Sequence, residues 1–250
     1  MRSSKKKVTE RRNKILEIIN RLGEASVEEI SEYLKVSDLT IRRDLQSLED
    51  EGLLERYHGG AKAVKKKIAA MSGEDEIRLE IAQKAARLIE DNDTIFINTA
   101  QIALDIIPYI SAKNVLVITN NGNVINVQHS MDVSIVLTGG ELRHVKGTMV
   151  GEFALDSVNK VIATKAFIGC AGISAEVGMT SDILNEVKIN EAMFKRTTEH
   201  SYILAEPCRF GKVSNFVSVP IDLITDIITS KDIDDELTKP FIEKGIKIIK

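Results

Sequence analysis

The residues best suited to recognition chemistry lie in one short segment near the start of the chain, SDLTIRRDL at positions 37–45. Ser37 can accept a hydrogen bond from a free N–H group at the start of a helix, which predicts an N-cap there. Apolar residues then recur with helical spacing and predict one buried face, formed by Ile41, Leu45 and Leu48. The polar residues predicted to face outward are Asp38, Thr40, Arg42, Arg43 and Ser47. Because an Arg side chain can donate two parallel hydrogen bonds to guanine, such a face suits the major groove of DNA, although an ordinary solvated helix has the same pattern.

The segments before this helix predict two further helices. The first opens at Thr9 and ends at Gly23, and the capping-box spacing of Ser26 and Glu29 opens a second helix that runs to about Leu34. The apolar positions of the second helix, expected to face the first, are Val27, Ile30, Tyr33 and Leu34.

The segment after the third helix predicts a wing. Residues with high β-propensity and a Gly59–Gly60 turn predict a short hairpin over Leu53–Ala61, so that the whole unit is expected to be a winged helix. The hairpin of a winged helix lies along the DNA backbone or the minor groove, so Arg56 and His58 are predicted DNA contacts. His58 could equally be a surface residue with no role. Further cations that could neutralise phosphate are Arg2, Lys5, Lys6, Lys7, Arg11, Arg12, Lys14, Lys62, Lys65, Lys66 and Lys67.

Charge is unevenly distributed along the chain. Residues 1–67 carry 16 of the 34 Lys and Arg residues but only 12 of the 37 Asp and Glu residues. This asymmetry suggests a module that meets a polyanion joined to one that does not. No apolar run approaches the length of a membrane span, and the first residues lack the apolar core of a signal peptide. We therefore expect a cytoplasmic protein without a membrane partner.

The second half of the chain alternates apolar runs with helical patterns. Its strand candidates are Thr94–Asn98, Val115–Thr119, Ser134–Thr138, Lys165–Cys170, Ser201–Ala205, Asp226–Thr229 and the C-terminal KIIK. Its predicted helices are 74–89, Ile102–Ile110, Val124–His129 and Asp182–Glu199. Runs that are apolar on both faces and separated by helices predict an α/β fold with a mainly parallel sheet covered on both sides.

A ligand site is predicted at the carboxyl ends of these strands, where open α/β sheets bind small molecules. Gly lets backbone N–H groups approach an anion, and Thr and Asn add side-chain donors. The predicted ligand-binding residues are Asn98, Thr99, Ala100, Gln101, Thr119, Asn120, Gly139, Gly140, Gly169, Gly172, Glu206 and Arg209. Ordinary turns use the same residue types, so the prediction rests on several such loops meeting at one edge of the sheet.

No arrangement of residues commits the chain to catalysis. The sequence has no G-x-S-x-G, no phosphate loop ending in GK[ST] and no H-E-x-x-H, and its four His residues share no ligand spacing. Cys170 and Cys208 fit no metal-ligand pattern, and no His lies near Cys208 in sequence. We expect neither an enzyme nor a metal or other cofactor.

The sequence resembles a known family in both halves. The segment from Glu10 to Ala61, with the core S-x-x-T-[IV]-R-R-D-L and the terminal HGGA, closely resembles the helix–turn–helix of DeoR-family bacterial transcription regulators. The segments DNDTIFIN, VITNN, VLTGGELR, VGEFAL, KAFIGCAGI and RFGK follow that family's effector domain in order. The resemblance implies a DNA-binding domain at 1–62 with its helix–turn–helix at about 25–44, a linker at 63–73, and an effector domain at 74–250.

What the resemblance implies about function is a homo-oligomeric repressor of sugar-catabolic genes. Such a protein binds double-stranded operator DNA and senses a phosphorylated sugar in a domain similar in fold to ribose-5-phosphate isomerase. Two segments depart from the family pattern. Asn98–Ile102 replaces the usual D-S-G-T-T, and Glu206–Phe210 replaces D-x-S-K-F while Arg209 keeps the cation. These departures predict a changed or weakened effector on an unchanged fold.

Two alternatives stay open at this point. One is a sugar-phosphate isomerase-like enzyme that carries a DNA-binding domain, for which Glu206 is the best candidate general base. The other is a regulator whose pocket is vestigial and whose control comes from a protein partner.

Overall fold

The polypeptide divides into two units, residues 1–72 and 73–250. The computed structural model describes residues 8, 11–12, 14–16, 18–19, 24–50, 53–57, 59–63, 73–143 and 147–250. The predicted helix ends Thr9 and Gly23, and residues 64–72 of the predicted linker, lie outside these described residues.

The described part of the first unit combines helices with a small antiparallel sheet. Its elements are α1 (helical at 8, 11–12, 14–16 and 18–19), β1 (Glu24–Ser26), α2 (Val27–Leu34), α3 (Asp38–Asp50), β2 (Leu54–Tyr57) and β3 (Gly60–Ala63). β3 lies between β1 and β2 and is antiparallel to both. The β2–β3 hairpin confirms the predicted wing. The sequence did not predict β1, because three residues are too few for a strand pattern.

The start and the end of α2 follow from its sequence. Ser26 Oγ accepts a hydrogen bond from the Glu29 backbone N–H at 3.1 Å, and Glu29 Oε2 accepts one from the Ser26 N–H at 2.7 Å, so the predicted capping box is present. The helix ends at Lys35, whose left-handed backbone (φ 53°) reverses the chain. The tight turn that results leads directly into α3.

The prediction that Tyr33 faces the first helix is wrong. Tyr33 is 67% exposed, whereas Val27, Ile30 and Ser31 are the buried residues of α2. Successive residues of a helix are rotated by about 100°, so position 33 lies roughly 120° from the stripe that begins at position 27. The small Ser31 side chain takes the buried place instead, and its hydroxyl donates to the Glu28 carbonyl at 2.9 Å.

The second unit is built on a seven-stranded sheet in which every neighbouring pair is parallel. Its order is β15 (Lys247–Ile249), β14 (Asp226–Ile228), β12 (Thr197–Leu204), β9 (Ala163–Gly169), β4 (Thr94–Ile97), β5 (Val115–Thr119) and β6 (Val133–Leu137). Buried apolar residues cover both faces of this sheet in two separate clusters. The predicted α/β fold with a parallel sheet is therefore confirmed.

The helices of this unit agree only partly with the predicted ones. The α-helices are α4 (Gly73–Ala86), α5 (Gln101–Leu104), α6 (Glu152–Asn159), α7 (Leu184–Lys195) and α8 (Asp235–Ile242). The 3-10 helices are Ile107–Tyr109, Gly122–Asn126, Pro207–Arg209 and Ile221–Leu223. The predicted helix Ile102–Ile110 is interrupted, since Pro108 provides no backbone donor, and Val124–His129 is replaced by the 3-10 turn that Asn121 caps.

Two small antiparallel sheets complete the second unit. One joins β10 (Gly172–Ser174), β11 (Gly178–Ser181) and β13 (Phe216–Pro220), and the other is the hairpin of β7 (Glu141–Arg143) and β8 (Thr148–Val150). Neither was predicted, because strands of three to five residues leave little periodicity to detect. Both matter for the site, since they cover parts of the carboxyl edge of the main sheet.

A buried ion pair ties the amino ends of β4 and β9 together. Lys165 Nζ donates to Asp93 Oδ2 at 2.8 Å, and the two side chains are only 4% and 6% exposed. Burial acts to raise the pKa of Asp93, but hydrogen bonds from the Glu90 N–H, Lys165 and Thr164 lower it below its ordinary value of 3.8. Burial likewise acts to lower the pKa of Lys165, and its bonds to Asp93 and Glu90 raise it instead.

We expect Asp93→Asn to lower the free energy of unfolding by about 3 kcal/mol at pH 7, because it leaves a buried ammonium without its buried partner. Asp93 contributes stability above its unfolded pKa, and that stability is lost as the pH falls through the lower native pKa. The difference in the free energy of unfolding between wild type and variant should therefore become smaller below about pH 4. Urea unfolding at several pH values measures it.

Glu90→Gln is the matched control. Glu90 also contacts Lys165 at 2.8 Å, but its side chain is 77% exposed, so we expect a loss below about 1 kcal/mol. Equal losses in the two variants would contradict the assignment of Asp93 as the essential partner.

Candidate functional site

The outer face of α3 presents the side chains that were predicted to read DNA. Ile41, Leu45 and Leu48 are fully buried in the core of the first unit, and Arg42 and Arg43 are exposed. Ser37, Asp38 and Thr40, at the start of the helix, are exposed or half-buried. The predicted orientation of this helix is thus confirmed.

Ser37 stands at the predicted position before the first residue of α3. Its carbonyl accepts hydrogen bonds from the N–H groups of Thr40 and Ile41, and its hydroxyl lies 3.0 Å from the Thr40 hydroxyl. The two hydroxyl groups are therefore held side by side at the exposed start of the helix, where the backbone N–H groups also attract anions.

Asp44 ties α3 to α1 and was not singled out from sequence. Its buried carboxylate lies 2.5 Å from Arg11 Nε and 3.3 Å from Arg12 Nε. Both Arg residues were expected to neutralise phosphate, but they are half-buried and engaged with this carboxylate. Their more direct role in the structure is to hold α3 in place.

The wing is also connected to α3. The Arg56 N–H donates to Glu49 Oε1 at 2.9 Å, and the Arg56 guanidinium contacts Gln46 and lies 3.5 Å from Glu49 Oε2. Arg56 is thus held against α3. His58 lies outside the described residues, so its predicted role stays a prediction.

A cavity of about 310 Å³ opens at the carboxyl ends of β4, β9 and β12; we call it the rim cavity. Seven of the predicted ligand residues line it: Asn98, Thr99, Ala100, Gln101, Gly169, Glu206 and Arg209. The residues that line it without having been predicted as ligand residues are Arg78, Ile102, Cys170, Ala171, Met179, Thr180, Ser181, Asp182, Ile183, Glu186 and Asn190. Most of them come from α4, β11 and α7, which are not the loops that directly follow β4, β9 and β12.

The other predicted ligand residues do not line the rim cavity. Asn120 is buried beneath the β7–β8 hairpin, where its Nδ2 donates to the Met149 carbonyl at 3.1 Å, and the Thr119 hydroxyl accepts from the Asn121 N–H. Gly139 and Gly140 have positive φ and form a turn, and Gly140 packs against Val150. Gly172 packs against the backbone of Lys212. The hairpin and the antiparallel sheet thus occupy the places that the sequence left open for a ligand.

Asn98 joins the ends of β4 and β9 beside the rim cavity. Its Oδ1 accepts from the N–H groups of Gly169 at 3.0 Å and Ala100 at 3.3 Å. Its Nδ2 donates to the Gly169 carbonyl at 2.9 Å and to Asn190 Oδ1 at 3.3 Å, and Asn190 in turn donates to the Ser218 hydroxyl. Both donors and acceptors are used, so an amide fits here where an ionised carboxylate could only accept.

Gly169 lies in direct contact with the loop that follows β4. A Cβ on Gly169 would be 2.4 Å from Ala100 Cβ and 2.7 Å from Ile102 Cγ2. Both distances are well below van der Waals contact, so glycine is required at position 169 while Ala and Ile stand at 100 and 102. These two side chains take up the space in which the family's usual Gly and Thr leave backbone and hydroxyl groups accessible.

The charged groups of the rim cavity are largely paired. Arg78 Nε lies 2.6 Å from Asp105 Oδ2 and its Nη1 lies 2.7 Å from Asp75 Oδ1. Arg209 Nε donates to Glu206 Oε2 at 3.0 Å. Burial acts to lower the pKa of both guanidinium groups, but the carboxylates raise it above the ordinary value, so both stay charged.

Three further properties of the described residues concern a reactive nucleophile, a metal site and a membrane-spanning helix. Burial raises the pKa of the Cys170 thiol to about 12, so it is protonated at neutral pH and unsuited to nucleophilic attack. Within the described part of the chain, no group of three His, Cys, Asp or Glu side chains is placed to hold a metal ion. Across the same residues, no helix is long and apolar enough to span a bilayer.

Both units match models of known protein families. Residues 11–67 match the DeoR-like helix-turn-helix domain, and residues 74–231 match the DeoR C terminal sensor domain. The chain belongs to the DeoR family. The lactose phosphotransferase system repressor of Streptococcus mutans is 33% identical, covering 92% of this chain and 95% of that protein. The glycerol-3-phosphate regulon repressor of Escherichia coli is 30% identical, covering 82% and 84%.

Among solved structures, this DeoR-family chain is similar to ribose 5-phosphate isomerase A from Methanocaldococcus jannaschii. The TM-score is 0.39 at 12% identity, and the match covers 54% of each chain. It is also similar to eIF2B delta from Chaetomium thermophilum, with a TM-score of 0.43 at 17% identity over 77% of this chain and 64% of that one.

We expect Gly169→Ala to lower the free energy of unfolding by about 1–3 kcal/mol, because the added methyl group overpacks the contact with Ala100 and Ile102. Ala100→Gly in the same chain should restore part of this loss, since it removes the nearest obstacle. Chemical unfolding followed by circular dichroism measures both effects.

Gly73→Ala is the control for the glycine substitution itself. A Cβ at Gly73 meets nothing within 4 Å, so the change should stay within about 1 kcal/mol of wild type. A loss in Gly169→Ala that Ala100→Gly does not reduce would count against the steric explanation.

Proposed function

We propose that the protein represses genes of carbohydrate metabolism by binding duplex operator DNA in the cytoplasm as a homo-oligomer, and that a phosphorylated sugar or a related anionic metabolite controls this binding. The observation that carries the DNA-binding part is the exposure of Arg42 and Arg43 on α3 above a fully buried apolar stripe. A helix so oriented can enter the major groove without losing its packing on the core.

The proposed contacts divide into base readout and backbone positioning. Arg42 and Arg43 read base edges, because a guanidinium can pair with two acceptors of guanine. Leu39, which is 61% exposed in the first turn of α3, offers an apolar contact to a thymine methyl group. The residues proposed to position the helix on phosphate or at the groove edge are Ser37, Asp38, Thr40, Arg56 and His58.

Arg56 fits a positioning role because of its partners. Its bonds to Glu49 and Gln46 fix the wing relative to α3, so the two DNA-facing elements approach the duplex as one body. A phosphate group can replace one of these partners with little rearrangement, since the guanidinium is half-exposed.

The rim cavity supports a small, hydroxylated and anionic effector. Its volume lies at the lower end of the range typical of ligand sites, which argues against a vestigial pocket. Arg209 supplies a cation, and Asp182, Glu186 and Asn190 supply acceptors suited to hydroxyl groups. The names of the Streptococcus and Escherichia relatives, both repressors tied to carbon uptake or use, support the same class of target genes.

Binding, not turnover, is the role we assign to this cavity. Glu206, the candidate general base of an isomerase, is paired with Arg209 at 3.0 Å, which suits an electrostatic recognition pair. Regulation requires that the effector bind one arrangement of the oligomer better than another. A homo-oligomer is favoured because two-fold assemblies read two-fold operators.

Arg42→Ala and Arg43→Ala should each weaken binding by about 1–3 kcal/mol, if each side chain reads one base. The measurement is the dissociation constant at fixed salt for a duplex that the wild-type protein selects from a random-sequence library. Arg87→Ala, which removes an exposed Arg from the second unit, should leave this constant unchanged. Wild-type affinity in both α3 variants would remove the recognition-helix assignment.

A phosphorylated sugar that binds the rim cavity should raise the melting temperature of the full chain. At a concentration of about 100 times its dissociation constant, the rise should be about 5–10 °C. The panel is ribose 5-phosphate, glucose 6-phosphate, fructose 1-phosphate and glycerol 3-phosphate, each beside its unphosphorylated parent. No response to any phosphorylated compound would refute the proposed effector class, and conversion of ribose 5-phosphate to its ketose would favour the enzyme alternative.

A further inference from the structure

Arg78 is the one cavity-lining cation besides Arg209 in the described part of the chain, and no sequence pattern had marked it. It lies in the second turn of α4, far in sequence from the strand ends that form the rest of the cavity. Its side chain is only 25% exposed, so a residue with a long, flexible cation is held here in a nearly fixed place.

Two carboxylates engage two of the three nitrogens of the Arg78 guanidinium. Asp105, which follows α5, accepts from Nε at 2.6 Å, and Asp75, one turn before Arg78, accepts from Nη1 at 2.7 Å. Asp105 is itself fixed by the Gln101 side chain at 2.6 Å. Among the described residues, the hydrogen bonds that Arg78 donates come from Nε and Nη1, so the third nitrogen, Nη2, can donate to a ligand.

The charge around Arg78 differs from that around Arg209. Arg78 faces two carboxylates, which more than compensate its charge, whereas Arg209 faces the single carboxylate of Glu206. A dianionic phosphate beside Arg78 would meet the field of Asp75 and Asp105 as well as that of the guanidinium. A hydroxyl or carbonyl oxygen carries no net charge, and it can accept from Nη2 without that repulsion.

We propose that Arg78 is a specificity residue that donates a hydrogen bond to a neutral oxygen, a hydroxyl or a carbonyl, on the carbon chain of the effector, while the anionic group binds at Arg209. This assignment rests on the proposed effector class and divides the cavity into two ends. The end at Arg78 distinguishes carbon skeletons, and the end at Arg209 requires negative charge.

The test compares two probes on the full-length protein by titration calorimetry. The first probe is whichever phosphorylated sugar of the panel raises the melting temperature most, and the second is inorganic phosphate, measured as a competitor of the first. We expect Arg78→Met to weaken the sugar phosphate about 10- to 100-fold, the loss of one hydrogen bond from a charged donor, and to leave phosphate competition unchanged. Arg209→Gln should weaken both probes, and Arg87→Gln should weaken neither.

Two further variants test whether Arg78→Met loses binding merely because its folding is disturbed. Arg78→Met leaves Asp75 and Asp105 without their cation, so the double variant Arg78→Met, Asp105→Asn removes the main unpaired carboxylate and should show the same loss of sugar-phosphate binding. Arg78→Lys keeps the positive charge but not the planar, forked donors of a guanidinium. Its affinity for the sugar phosphate should therefore lie between those of the wild type and Arg78→Met.

The remaining outcomes separate this inference from the function on which it rests. Wild-type affinity for the sugar phosphate in Arg78→Met, or an equal loss for both probes, would overturn the role of Arg78 and leave the effector class standing. Failure of phosphate to compete on the wild-type protein would overturn the two-ended assignment. No binding of any panel compound to the wild type would refute the effector class itself, and this inference with it.

Discussion

Burial of three apolar side chains determines what the first unit can do. Ile41, Leu45 and Leu48 fill the core beneath α3, and the helical repeat then leaves Arg42 and Arg43 no orientation except outward. Asp44, buried on the same helix, adds a second restraint by pairing with Arg11 and Arg12 of α1. The orientation of the side chains that we propose to contact DNA is therefore set by packing in the core of the first unit, and the proposed recognition surface is preformed.

The second unit separates stability from recognition along the same strands. At the amino ends of β4 and β9, Asp93 and Lys165 form a buried pair. At the carboxyl ends of those two strands, Asn98 clamps the backbone of Gly169 through neutral hydrogen bonds. This clamp adds no formal charge to its part of the cavity wall, so the Arg and carboxylate side chains elsewhere in the lining set the charge that a ligand would meet.

Much of the architecture could be predicted from the sequence because it is local. The capping box of Ser26 and Glu29 marks the start of a helix within four residues, and strands such as Val115–Thr119 carry their own apolar signal. The misplacement of Tyr33 shows the limit, since a helix of eight residues gives its stripe too few positions to define.

The site was only half predictable for a different reason. Loops at the ends of parallel strands identified Asn98, Gly169 and Arg209, because topology brings strand ends together. Arg78, Glu186 and Asn190 lie on helices that reach the same cavity by tertiary packing, and their sequence neighbourhoods carry no sign of it. Conversely, Thr119 and Asn120 do end a parallel strand, but a hairpin of two three-residue strands lies in their way.

The interlocked contact between Gly169, Ala100 and Ile102 constrains how this cavity can diverge. Since the three positions share one small volume, a larger residue at one of them is tolerated only with a smaller one at another. We therefore expect substitutions at these three positions to be coupled, and each exchange of volume among them would change the shape of the cavity wall that Gly169, Ala100 and Ile102 form. A substitution that reduces volume at one of these positions, made before one that increases volume at another, would let the shape of the cavity change without an overpacked, unstable variant in between.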